Sequence, residues 1–191
     1  IMLEWTYITN RIFSDELFNE RSHAGHNCDA AHFQQVEKSL GINYIKNMNL
    51  SEELEDELVK QSLYRLVLHE VGHTLGLSHN FKGSTLLSND ELNNKEIVAE
   101  RGVCSSVMEY PAINITRNPK DQGLFFDVKP GVYDMWAIEF GYSQYDNFEA
   151  EEEGVSAILS RSTEKDLAFA NDAMDMRSTG KGSDPNAMIY D

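Results

Sequence analysis

Residues 69–79 read His-Glu-Val-Gly-His-Thr-Leu-Gly-Leu-Ser-His, three imidazoles and a carboxylate in one short stretch. Few folds accommodate it. On a helix, His69 and His73 stand four apart, so both rings leave the same face, one turn above the other. At that spacing two imidazole nitrogens can reach one zinc ion at about 2.0–2.1 Å. A third ligand from a straight helix would lie too far along the axis to close a tetrahedron. Gly76, three residues past His73, readily takes the left-handed conformation that ends a helix, so the chain can turn back and bring His79 in from below. Three neutral ligands leave a fourth position for water, the mark of a catalytic zinc, whereas structural zinc sites are usually closed by four protein ligands. Glu70 points off the ligand face, where it can hold that water and take its proton, a transfer that zinc eases by lowering the water's pKa to about 7. A bare H-E-x-x-H arises by chance in apolar helices; the glycine and third histidine at these offsets set this stretch apart.

The stretch resembles the motif of the metzincin zinc endopeptidases, the clan that includes astacins, serralysins, adamalysins and matrixins. That clan has a methionine-containing turn beneath the metal, and Ser106-Val107-Met108-Glu109-Tyr110-Pro111 stands at a matching distance downstream. The longer strings HEVGHTLGLSHNFKGS (69–84), SVMEYP (106–111) and YDMWAIEFGY (133–142) are similar to a group of large bacterial zinc-dependent metalloproteases. The likeness covers about 69–142 well, weakens towards 191 and is faint before 52. It implies a zinc ion on His69, His73 and His79, with Met108 forming an apolar floor under the ligands without being one. In astacins and serralysins a tyrosine two residues after the turn methionine approaches the metal. By that resemblance the Tyr110 hydroxyl donates to the oxyanion of the tetrahedral intermediate, an interaction worth about 3–4 kcal/mol where measured; the alternative is a buried aromatic beside the turn. One departure matters. The residue after the third histidine, which helps separate the named families, is Asn80, expected in none of the four, so subfamily and specificity stay open.

A chain of 191 residues suffices for one compact domain with an appendage. The division expected is a catalytic region over 1–142 and a partly helical extension over 143–191. With 41% hydrophobic and 10% aromatic residues the chain can build a real core. A net charge of −16 argues against nucleic acid and anionic membrane surfaces as partners. No apolar run approaches the ~20 residues that span a bilayer. The setting expected is secreted, periplasmic or cell-surface. The opening Ile1-Met2-Leu3-Glu4-Trp5 lacks the basic lead of a signal peptide and reads as a cut inside a longer protein that would carry the targeting signal. In an exported protein Cys28 and Cys104 would pair, closing a loop of about 75 residues worth about 3–5 kcal/mol; two unpaired thiols are the alternative.

Residues 1–18 alternate bulky and polar positions and fit a short strand or an early helix equally. A polar loop follows. Its His23, His26 and Cys28, with His32 beyond, can be imagined as a second metal site, but the simpler reading is a surface loop. Residues 30–40 are expected to form a short helix ending at Gly41. Ser51 is a good N-cap for a helix running to about Leu75, with Glu52, Glu53, Glu55 and Asp56 at the positive end of its dipole. Its 63–75 half is apolar nearly all round, as a buried helix would be. Ser88-x-x-Glu91 is a capping box and Gly102 a stop, so 89–101 reads as a polar surface helix. Leu124–Val128 reads as a short strand. Pro130 suits the first turn of a helix over 131–140 that stops at Gly141. There Asp134 is either a hydrogen-bonding group behind the ligands or, the simpler reading, a helix-surface acid. Glu149–Glu153 begins a helix through Leu159, and 171–185 reads as a surface loop, calcium binding being the weaker alternative.

A metzincin normally builds a sheet before its active-site helix, whose edge strand aligns the substrate by main-chain pairing. Only about 50 residues precede the helix here, with at most one strand, so the upper half of the cleft is expected from an upstream part of the same polypeptide. The fold expected is mainly α (α+β): a metzincin-like catalytic region with active-site helix, methionine turn and C-terminal helix. The function expected is zinc-dependent hydrolysis of peptide bonds in a protein or peptide substrate. Two alternatives differ in kind: a metzincin-like scaffold that binds protein or glycan without cutting, and a zinc amidohydrolase on a non-peptide substrate. An intact Glu70 argues against the scaffold, which has no need of that carboxylate.

Overall fold

The computed structural model describes residues 30–174 and Ala187. The expectations for 1–18, for the loop with His23, His26 and Cys28, and for most of 171–185 lie outside those residues. Among the described residues the fold is helical, with no strand. Its helices are α1 (Ala30–Asn47), α2 (Glu52–Thr74), α3 (Asn89–Leu92), α4 (Lys95–Arg101), α5 (Val132–Tyr142) and α6 (Phe148–Ser160).

α1 does not stop at Gly41. Gln34, Lys38, Gly41, Ile42 and Ile45 form one buried stripe along it. A Cβ on Gly41 would meet Leu58 Cδ1 at 2.3 Å and Ile113 Cδ1 at 2.4 Å, so this glycine lets α1 and α2 cross closely. The stop comes at Asn49 (φ 51°), where Asn49 N donates to Lys46 O and Leu50 N to Ile45 O, the paired bonds of a left-handed helix cap. His32 stands exposed on α1.

Ser51 caps α2 as its sequence requires, accepting from Leu54 N. The buried residues of α2 (Leu58, Gln61, Ser62, Arg65, Leu66, His69 and Gly72) recur at helical spacing and face the interior. The rest of its second half is less enclosed than the apolar run suggested, since Tyr64, Val71 and Leu75 are exposed. Leu58 packs with Ile42, Ile45, Ile113, Phe125 and Phe126 in one core cluster; Leu66 packs with Phe81, Tyr110 and Ala170 in another.

Leu124–Val128 is not a strand. Gln61 Oε1 on α2 accepts both Phe125 N (2.8 Å) and Phe126 N (3.2 Å), so these backbone donors are met by a helix side chain. Both phenylalanines are buried, which breaks the alternation a half-buried strand needs. Asp127 follows, buried, accepting Val103 N (2.6 Å) and Cys104 N (3.2 Å). Burial pushes its carboxyl up to about 6. Cys104 is buried, with no disulfide partner among the described residues, and that burial pushes its thiol well above its ordinary pKa; its expected partner Cys28 lies outside them.

The capping box at Ser88 and Glu91 is present, and the helix it opens breaks after one turn, where Asn94 caps α4. Gly102, at φ 86°, ends α4. α5 starts at Val132, with Gly131 as N-cap and Pro130 outside, and runs past Gly141 to Tyr142. Trp136 Nε1 on α5 donates to Ile158 O on α6. No helix among the described residues is long and apolar enough to cross a membrane.

Candidate metal centre

The way α2 ends sets the geometry. Gly76 takes φ 86°; its N–H donates to His73 O and the Leu77 N–H to Gly72 O, both at 3.0 Å. The reversal delivers His79 and also swings Leu77 O under His73, where it accepts from His73 Nδ1 at 3.0 Å. His69 Nδ1 lies 2.8 Å from Val107 O. His79 Nδ1 lies 3.0 Å from both carboxylate oxygens of Asp172. Carbonyl and carboxylate oxygens only accept, so all three rings carry a proton on Nδ1, and in the neutral ring that leaves the lone pair on Nε2. His73 Nε2 is buried without a hydrogen-bond partner.

The three histidines offer ligand atoms that lie within 4.8 Å of one another. His69 is fully buried, and that burial, with the Arg65 charge behind it, holds its pKa well below the usual histidine value. A neutral imidazole is the form that ligates. Three imidazoles with Nδ1 on oxygens, one of them with a buried, unpartnered Nε2, fit zinc, which takes imidazole nitrogen readily. Glu70 is half-buried, next to His69 on α2. The Tyr110 hydroxyl is 3.0 Å from His79 Nε2 and, that nitrogen being unprotonated, donates to it.

Met108 is fully buried, and a Cβ on Gly72 would meet its Sδ at 2.3 Å. It therefore packs directly on the turn of α2 between His69 and His73. The turn that carries it is held from two sides. From α2, the Arg65 guanidinium donates to Val107 O and Glu109 O. From α5, Asp134 accepts from Ser106 Oγ (2.6 Å), Val107 N (2.8 Å) and Gly131 N (2.8 Å). Asp134 is thus buried behind the centre and is not a surface acid; burial raises its carboxyl above the usual range.

Arg65 and Asp172 carry no signal in the sequence, and Asn80 stands out there only as a departure from the named families. Arg65 was hidden in a run taken as apolar, although it stands one turn before His69 on the same face. Asn80 is fully buried: its Nδ2 donates to Ala168 O (3.1 Å), its Oδ1 accepts Ala170 N (3.2 Å), and its N–H donates to Met108 O. Asp172 comes from a segment with no motif to flag it.

Among known families, one described as Met-zincin matches residues 51–191 of this chain. No curated protein and no solved structure matches it.

Proposed function

The chain belongs to the Met-zincin family, and from that premise we propose that it is a zinc-dependent endopeptidase. The observation that carries the proposal is the arrangement of three imidazoles, each with Nδ1 on an oxygen and with ligand atoms within 4.8 Å of one another. His69, His73 and His79 would hold the ion. Zinc bound there supplies a Lewis acid for the scissile carbonyl and lowers the pKa of water to about 7.

The remaining chemistry belongs to side chains. Glu70 takes the proton of the attacking water and passes it to the leaving amine. The Tyr110 hydroxyl stands 3.0 Å from His79 Nε2, beside the position a metal would hold, and from there it would donate to the developing oxyanion of peptide hydrolysis. Met108 and Gly76 keep structural roles, one as the floor and one as the turn. The substrate is a protein or peptide. The strand edge that would align it is not among the described residues. The region 1–142 is proposed as catalytic and 143–191 as its extension. A net charge of −16 suits solubility in a secreted, periplasmic or cell-surface setting.

The direct test incubates the zinc-loaded protein with a diverse peptide pool beside Glu70→Ala and Tyr110→Phe. Cuts should appear with the wild type and vanish with Glu70→Ala. Tyr110→Phe should lose about 10²–10³-fold in turnover while keeping its zinc. Cuts that persist without Glu70 would sink the mechanism, and unchanged turnover in Tyr110→Phe would reduce that tyrosine to packing.

A further inference from the structure

We propose that Asp172 is a positioning residue of the metal centre, delivered by the segment 167–172 as a strap; this rests on the zinc reading of the three histidines. The three imidazoles are not supported alike. His69 and His73 donate to backbone carbonyls, 38 and 4 residues along, whereas His79 donates to a carboxylate 93 residues along. Both Asp172 oxygens lie 3.0 Å from Nδ1. A carboxylate behind a ligating imidazole fixes the ring's orientation and raises the basicity of the other nitrogen.

Nothing in a polar loop would hold a carboxylate there unaided, and the strap is fastened at several points. Asn80, the residue after the third ligand, grips Ala168 O and Ala170 N with its side chain. The Phe81 N–H donates to Ala170 O at 2.8 Å. Phe169 stacks on Tyr133 of α5, with ring centroids 5.5 Å apart and planes at 10°. Leu167 and Ala170 are buried. The same few residues therefore carry His79 and clamp the segment that orients it. This gives the departure at Asn80 a physical reason: an amide both donates and accepts, as gripping a carbonyl and an N–H at once requires.

The Asp172 side chain is 48% exposed, and exposed side chains outside special sites usually move stability by less than about 0.5 kcal/mol when replaced. A positioning role and a merely structural one are thus separable. The experiment titrates zinc into the full metal-free chain against a competing chelator, for the wild type, Asp172→Ala, Asp172→Asn and, as a control for lost charge, the exposed Asp146→Ala. Asp172→Ala should bind zinc about 10–100-fold more weakly. Asp172→Asn, which keeps an oxygen for Nδ1–H but not the charge, should fall between, and Asp146→Ala should match the wild type. The thermal midpoint of the metal-free protein should be the same in all four. Wild-type affinity in Asp172→Ala, or a metal-free midpoint that falls with the affinity, would overturn the role. A wild type that binds no zinc would instead overturn the three-histidine reading, and this inference with it.

Discussion

Gly76 shows how much one residue decides. Its positive φ turns the chain so that His79 comes back beneath α2 and Leu77 O comes under His73, so one backbone conformation serves two of the candidate ligands. A Cβ there would meet nothing within 4 Å, so the penalty for Gly76→Ala is conformational alone. It should cost about 1–3 kcal/mol of stability in a denaturant titration and weaken zinc binding by moving His79. An alanine variant as stable as the wild type would show that the left-handed turn is not required. This glycine was legible in the sequence because conformation is local. Gly72 and Gly41 were not, since each makes room for a side chain distant in the sequence: Met108 for one, Leu58 and Ile113 for the other. A glycine that permits close packing looks, in a linear sequence, like one that ends a helix.

At the scale of elements, three pieces meet at the methionine turn. α2 grips it through Arg65, α5 through Asp134, and the residues after the third ligand through the Asn80 N–H. A Cβ on Gly131 would meet Ser105 O at 2.0 Å, so α5 begins hard against that turn. Asp134 is the joint between them, and Val107, whose N–H it holds, offers its carbonyl to His69. Asp134→Ala should cost roughly 3 kcal/mol or more in a denaturant titration, because buried donors on Val107, Gly131 and Ser106 lose their acceptor together. A loss under about 1 kcal/mol would mean that the turn stands without α5. Several helix ends were legible from their caps, since Ser51, Ser88 and Gly102 act where their residue types require, but Asn94 splits the helix expected over 89–101 in two. Asp134 was misread because periodicity cannot tell an acid facing solvent from one facing another element's N–H groups. Leu124–Val128 was misread because Gln61, which occupies its backbone donors, lies on another helix.

Over the whole molecule, the candidate site is assembled from segments far apart in the chain. His69 meets Val107 across 38 residues, and His79 meets Asp172 across 93. The motif announced the ligands because they lie within eleven positions of one another; nothing periodic announces a partner 93 residues away, which is why the strap went unread. The family match over 51–191 reaches beyond the motif and takes in that strap. Those segments surround the candidate metal centre. X-ray absorption at the zinc edge of the purified, zinc-loaded chain examines it most directly. The result expected is one zinc per chain with three imidazole nitrogens at about 2.0–2.1 Å and a light, non-imidazole fourth ligand. A sulfur shell at about 2.3 Å, four protein ligands, or no stoichiometric zinc would contradict it.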